Sequence, residues 1–266
     1  MDAYGDLLTN AKLPGDHHRH KHDEIKYAIQ QVLKENSIPH KMEVYGEFAP
    51  FLNQQFVSGQ TTATKNGMIP DFKITFQGEI PFLAELKTIN DSESRFNHTN
   101  ENKISGGVTS RQDLIHTEYV TKAKKADAKY NHFDNSTGLK GPMESYLGTF
   151  GRVQGLVVGP RGEGSPELFK LLKKVAKVGA EECYRKIGLK SAEDAKSLVL
   201  SRIYKLIGIT AVRAAAKMKR ERLGVARGDG EAAESRRSFA TRRNQKLQDD
   251  YFQQFGNWGG GHGVGG

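Results

Sequence analysis

Between Gly67 and Asn90 the chain reads GMIPDFKITFQGEIPFLAELKTIN, and this stretch limits the fold more than any other. Phe72, Ile74 and Phe76 alternate with Asp71, Lys73 and Thr75, and Phe82, Ala84 and Leu86 alternate with Leu83, Glu85 and Lys87. Period two of this kind marks strands with one face turned to a core. The break at Gln77-Gly78-Glu79 predicts a tight hairpin turn between them. Glu85 and Lys87 then share one strand face, and hairpin pairing brings Asp71 within reach of both. A carboxylate and an ammonium in an otherwise apolar strand are costly to desolvate without compensation. Two carboxylates and a lysine at a sheet edge suit a divalent cation and an activated water.

The flanking segments extend this hairpin into an α/β core. Asp23 reads as the N-cap of a helix reaching about Glu35, with Ile25, Ala28, Ile29, Val32 and Leu33 as its apolar stripe. Lys41–Phe48 predicts a strand, and residues 49–66 a long polar connection of the kind that holds substrate. The segment Asn90–His116 is too polar to pack and reads as a lid, a nucleic-acid-facing loop or an exposed insertion. Arg95, Lys103 and Arg111 in it are placed to neutralise phosphates. Glu118–Phe133 predicts a helix with Tyr119, Ala123, Ala126, Tyr130 and Phe133 on one face and Lys122, Lys125 and Lys129 on another. Arg152–Val158 is a fourth strand. Gly159-x-x-Gly162-x-Gly164 after it lacks the lysine and hydroxyl of a nucleotide-binding loop and reads as a turn. Ser165 and Pro166 then open a helix. The resulting α-β-β-β-α-β-α order closes a core spanning 23–188.

Pro70-Asp71, followed by Glu85-Leu86-Lys87 with Glu85 fourteen positions after Asp71, resembles the PD-(D/E)XK nuclease superfamily. The resemblance implies a three-layer, restriction-endonuclease-like or resolvase-like α/β core. It also implies that Asp71 and Glu85 hold Mg²⁺ or Mn²⁺, that the Leu86 carbonyl supplies a further ligand, and that Lys87 serves the attacking water. Relatives carry a glutamate on the helix before the sheet, for which Glu24 is the candidate; a first-turn helix-stabilising glutamate is the other reading of that residue. They also place a lysine or glutamine of the following helix near the scissile phosphate, which Lys122 or Lys125 matches.

Charge points to the partner. From Arg202 to Lys246 there are thirteen Lys and Arg against four acids, a surplus equal to the formal charge of +9 for the whole chain. A basic C-terminal third implies a polyanion, nucleic acid first and an anionic membrane second. Within it, residues 189–224 predict a basic helical extension, interrupted at Gly208, that presents Lys217, Lys219, Arg220 and Arg222. Residues 225–266 form a glycine-rich tail in which Phe252, Phe255 and Trp258 are the aromatic exceptions. Residues 1–22 form a basic arm ending in His17-His18-Arg19-His20-Lys21-His22, where no acid or cysteine completes a spaced metal site. The lone Cys183 excludes an intramolecular disulfide and a cysteine-rich zinc site. No apolar run has the length of a membrane span, so the expected setting is intracellular, nuclear or nucleoid-associated if DNA is the partner.

These features predict a metal-dependent DNA endonuclease that selects DNA structure over sequence, with RNA not excluded and a homodimer compatible. Two other classes fit the same residues. One is a nucleic-acid-binding module without chemistry, and the other a structural or assembly protein that uses its basic C-terminus.

Overall fold

The computed structural model describes residues 17–44, 46–51, 68–89 and 102–226. The elements in chain order are α1 (His17–Glu35), β1 (His40–Met42), β2 (Phe72–Ile74), β3 (Phe82–Thr88) and α2 (Asn102–Tyr130). They are followed by α3 (Pro142–Thr149), β4 (Gln154–Val158), α4 (Pro166–Cys183) and α5 (Ala192–Ala226). The strands form one mixed sheet in the order β1-β2-β3-β4. β1–β2 and β2–β3 are antiparallel, and β3–β4 is parallel. A parallel neighbour requires a crossover, which α2 and α3 provide. The architecture is the mixed α/β fold expected, a four-stranded sheet flanked by helices and completed by a basic C-terminal helix.

Hairpin periodicity sets the layers. Phe72, Ile74, Ala84 and Leu86, joined by Leu156 and Val158, form one face of the sheet and pack with α1, α4 and α5. Leu83 and Val157 point the other way and pack with Val108, Ile115, Tyr119 and Ala123 of α2 and Met143 and Leu147 of α3. The predicted turn is present: Glu79 N–H donates to Phe76 O at 3.0 Å, and Gly78 takes a φ of 74° that a β carbon disfavours. Ser165 caps α4, with Pro166 at its first position, and the hydroxyl also bonds both Val157 N–H and Gly155 O on the outer edge of β4. An edge that invites strand addition is thereby occupied within the chain.

Four sequence expectations are corrected. The first helix begins at His17, not Asp23, because His17 and Lys21 are buried against later parts of the chain; Lys21 donates to Ile89 O at 2.7 Å. Residues 102–116 are not an exposed loop but the first half of α2. There Val108 and Ile115 are buried, and Gln112 resolves its polarity by accepting from Glu167 N–H at 2.9 Å. The strand predicted over Lys41–Phe48 stops at Met42, where Glu43 turns to a φ of 45°. Finally, α5 runs unbroken through Gly208. A β carbon at Gly162 would stand 3.0 Å from the Gly208 Cα, so the pair marks a close approach of loop and helix rather than a break. α5 is also integral to the core, with Ile203, Ile207 and Ala211 packed against α1 and α4. The connection over 52–67, the part of the polar segment at 90–101 with Arg95, residues 1–16 and the tail from 227 lie outside the described residues.

Candidate functional site

The β2–β3 register sets Phe72 opposite Ala84. One step back, Asp71 stands opposite Glu85, and opposed residues of an antiparallel pair project from the same face. Lys87 follows two residues later on that face. Asp71 Oδ2 accepts the Leu86 N–H at 2.9 Å, and Lys87 Nζ donates to Glu85 Oε1 at 2.5 Å. Asp71, Glu85 and Lys87 therefore share one face of the hairpin, with Asp71 anchored to the backbone N–H between the other two, and both acids are nearly buried, Asp71 at 9 % and Glu85 at 7 % exposure.

Two helices complete the group with residues that the sequence motif does not contain. Tyr119 of α2 donates its hydroxyl to Glu85 Oε2 at 2.7 Å. Burial, then Glu85 and Asp71, raise the Tyr119 pKa, so the hydroxyl stays protonated and remains a donor. Lys122 lies 5.3 Å above the Tyr119 ring, one turn further along α2. From α1, His22 and Lys26 sit four apart and so on one side of the helix. His22 Nε2 stands 3.4 Å from Asp71 Oδ2 and 3.2 Å from Leu86 O. Lys26 Nζ stands 3.5 Å from Asp71 Oδ1 and 2.6 Å from Glu43 Oε1.

The electrostatics follow from these contacts. Burial works to raise the Asp71 pKa, but His22, Lys26 and the Leu86 N–H outweigh it and hold the carboxyl below its ordinary value. Burial likewise works against a charged His22, yet Asp23 and Asp71 raise its pKa to about 9. Lys26 is held protonated against burial by Asp71, Glu43 and Asp23. The group is a compact set of alternating charges tied to the Leu86 backbone through its N–H, by Asp71, and its carbonyl, by His22.

Other predicted residues lie elsewhere. Glu24 is off the helix face shared by His22 and Lys26, and its carboxylate bonds Lys217 at 2.5 Å. Arg111 forms a two-bond pair with Glu118 at 2.6 and 3.1 Å. Lys125 and Arg220 are exposed, and Lys219 is half-buried. Arg222, expected on a phosphate-binding surface, is only 2 % exposed and lies 3.3 Å from His18, so it is not presented to a polyanion. The residues missed were His22, Lys26, Glu43 and Tyr119. Beginning the first helix one residue before Asp23 would have placed His22 and Lys26 together on one side of it, whereas Tyr119 had the signature of a core aromatic and only its hydroxyl departs from that.

Among the described residues, no group of three or more His, Cys, Asp or Glu side chains is placed to hold a metal ion. A donor set that reaches one cation has to include the Leu86 carbonyl. His22 Nε2, Asp71 Oδ2 and Leu86 O are separated by 3.2–3.4 Å where measured from the imidazole. That is close to the ~3 Å between neighbouring ligands of a small octahedral ion with bonds of ~2.1 Å. Glu85 completes the set only by turning from Tyr119 and Lys87. One nitrogen among oxygens suits Mn²⁺ or another first-row divalent ion better than Mg²⁺. Among the described residues no helix is long and apolar enough to cross a membrane. No family model matches the chain, and no curated protein or solved structure matches it either.

Proposed function

We propose that this protein is a divalent-metal-dependent nuclease that hydrolyses phosphodiester bonds in nucleic acid, with DNA the first substrate to test. The observation that carries the reading is the placement of Asp71, Glu85 and Lys87 on one sheet face, with Asp71 bonded to the Leu86 N–H and His22 to the Leu86 carbonyl. The motif resemblance to the PD-(D/E)XK nucleases supports it. His22, Asp71, the Leu86 carbonyl and Glu85 would hold the ion, which supplies Lewis-acid stabilisation of the charge that grows on the phosphate oxygens.

The chain's own groups do the rest. Lys87, its side chain about a third exposed and its ammonium tied to Glu85, is positioned to orient a water for in-line attack and to face the developing phosphate charge. Tyr119 fixes Glu85 from below through its hydroxyl. Lys122, beside Tyr119 on α2, supplies positive charge where a neighbouring phosphate would lie.

One observation favours a second reading, a nucleic-acid-binding module without chemistry. No three metal-ligating side chains are grouped among the described residues, and His22 and Lys26 already face the Asp71 carboxylate. Taken alone, that absence supports binding over cleavage. The full-length chain should be incubated with single-stranded, duplex and branched DNA and with RNA, in Mn²⁺, in Mg²⁺ and in excess EDTA. The nuclease reading expects cleavage that Mn²⁺ supports and EDTA abolishes. Cleavage undiminished by chelator removes the metal, and tight binding without cleavage under every condition establishes the second reading instead.

A further inference from the structure

We propose that the Lys26 ammonium holds the place of a second cation in this site, so that the site takes no more than one divalent ion. The inference deepens the nuclease reading and rests on it for the first ion, but the place it assigns to Lys26 stands on the geometry of that side chain. Lys26 is 3 % exposed, and its nitrogen faces three carboxylates brought from three parts of the chain. Glu43 Oε1 lies at 2.6 Å, Asp23 Oδ1 at 3.5 Å and Asp71 Oδ1 at 3.5 Å. Charges buried this deeply persist only when paired. Glu43 reaches its position from a left-handed backbone, φ 45°, secured by its N–H to Asp71 O at 2.9 Å.

The two oxygens of Asp71 are divided between two cationic directions. Oδ1 faces Lys26, while Oδ2 faces His22 Nε2 and the Leu86 N–H. In two-metal phosphodiester sites the ions stand ~3.5–4 Å apart and share carboxylates between them. Here one of the two directions is filled by an ammonium tethered to α1. Lys26 acts on the reaction through Asp71, which it neutralises on one side and leaves open on the other; it is a positioning residue. Its removal leaves three carboxylates around a common point with no cation between them.

The test counts Mn²⁺ bound per full-length chain, by equilibrium dialysis and electron paramagnetic resonance, and scores only ions that Asp71→Asn abolishes. Wild type is expected to bind one. Lys26→Met should bind one more than wild type, and Mn²⁺ should raise its Tm further than it raises that of wild type, because the ion binds only the folded form. Lys26→Arg keeps a cation in place and should match wild type, a rescue that a packing role alone does not predict. Two Asp71-dependent ions on wild type overturn the proposal, as does folded Lys26→Met that binds no more than wild type. If Lys26→Met folds at no Mn²⁺ concentration, the wild-type count decides: one ion upholds the assignment, two or none overturn it. No ion on wild type with one on Lys26→Met separates the two claims. The nuclease reading then falls, and the role of Lys26 stands.

Discussion

The same strands present two unlike faces. Phe72, Ile74, Ala84, Leu86, Leu156 and Val158 are sealed beneath α1, α4 and α5 in a purely apolar layer. The opposite face is apolar at Leu83 and Val157 but carries Asp71, Glu85 and Lys87, which meet His22 and Lys26 of α1 and Tyr119 of α2. On the first face each side chain contributes roughly its own buried area, and a truncation is felt locally as a cavity. On the second, each charge is compensated by the others. Asp71 offsets His22 and Lys26, and Glu85 offsets Lys87 while accepting from Tyr119. The contrast teaches that burial has two meanings in one sheet: a store of stability on one side and a mutual dependence on the other.

The largest effect should come from Asp71→Ala. It leaves His22 and Lys26 facing each other without the carboxylate between them, and removal of one partner from a buried ion pair costs ~3–5 kcal/mol. Leu86→Ala on the apolar face should cost a similar ~2–5 kcal/mol through its cavity. The two separate on function: on the proposed reading Asp71→Ala should lose all turnover and Mn²⁺ binding even where folded, while folded Leu86→Ala should keep Mn²⁺ binding, because the group proposed as ligand there is a backbone carbonyl. Denaturant unfolding with parallel Mn²⁺ titration checks this. Equal loss of metal binding in both variants would erase the distinction between the faces.

Lys87→Ala comes next and reverses the balance between stability and activity. Its side chain is about a third exposed, so melting should change little. Turnover should nonetheless fall by at least ~100-fold while nucleic acid still binds, the loss typical of a positioned acid–base or electrostatic group. Single-turnover cleavage, affinity and Tm measured on one preparation decide it, and near-normal turnover by folded protein would defeat the mechanism.

How far these faces were legible in the sequence depends on the range of the interactions that fix them. Period two over Asp71–Phe76 and Phe82–Lys87, with Gly78 between, is local information, and the hairpin and both faces follow from it. The placement of Asp71, Glu85 and Lys87 on one face was legible for the same reason. His22 was not, because its role depends on Asp71 and Leu86 far along the chain, and a tract of four histidines has no periodicity to place it. The first half of α2 was hidden by polar composition. Gln112 is tolerable on a buried face only because it meets Glu167 N–H, a partner that no local window contains. Gly208 misled in the opposite direction: locally it weakens a helix, but tertiary packing against the Gly162 loop makes its missing side chain useful.

Tyr119→Phe tests whether the polar face depends on a neutral donor as well as on charge. The ring keeps its packing with α2 and the sheet, but Glu85 loses the hydroxyl at 2.7 Å. A buried acceptor left short of a donor costs ~1–3 kcal/mol. The loss should be smaller in a metal-loaded protein, where Glu85 gains another partner. Thermal unfolding with and without Mn²⁺ measures the difference, and an equal loss in both states would mean that Glu85 does not turn to the ion.

The smallest effect concerns Glu24, a candidate for the site by the family resemblance and otherwise a helix-stabilising glutamate, which the fold pairs with a lysine of α5. It pairs with Lys217 across the α1–α5 contact, and both side chains are solvent-accessible, at 30 % and 49 %. Pairs of that exposure contribute ~0–1 kcal/mol, screened by salt. Glu24→Gln should therefore lower stability by no more than that, less at high ionic strength, and leave both turnover and Mn²⁺ affinity unchanged. Its neighbours two residues either way, His22 and Lys26, face Asp71, so the residue also reports whether helix phase governs membership of the site. A tenfold fall in turnover for Glu24→Gln, with melting unaltered, would bring this carboxylate into the chemistry and would require α1 to rotate from the orientation that places His22 on Leu86 O.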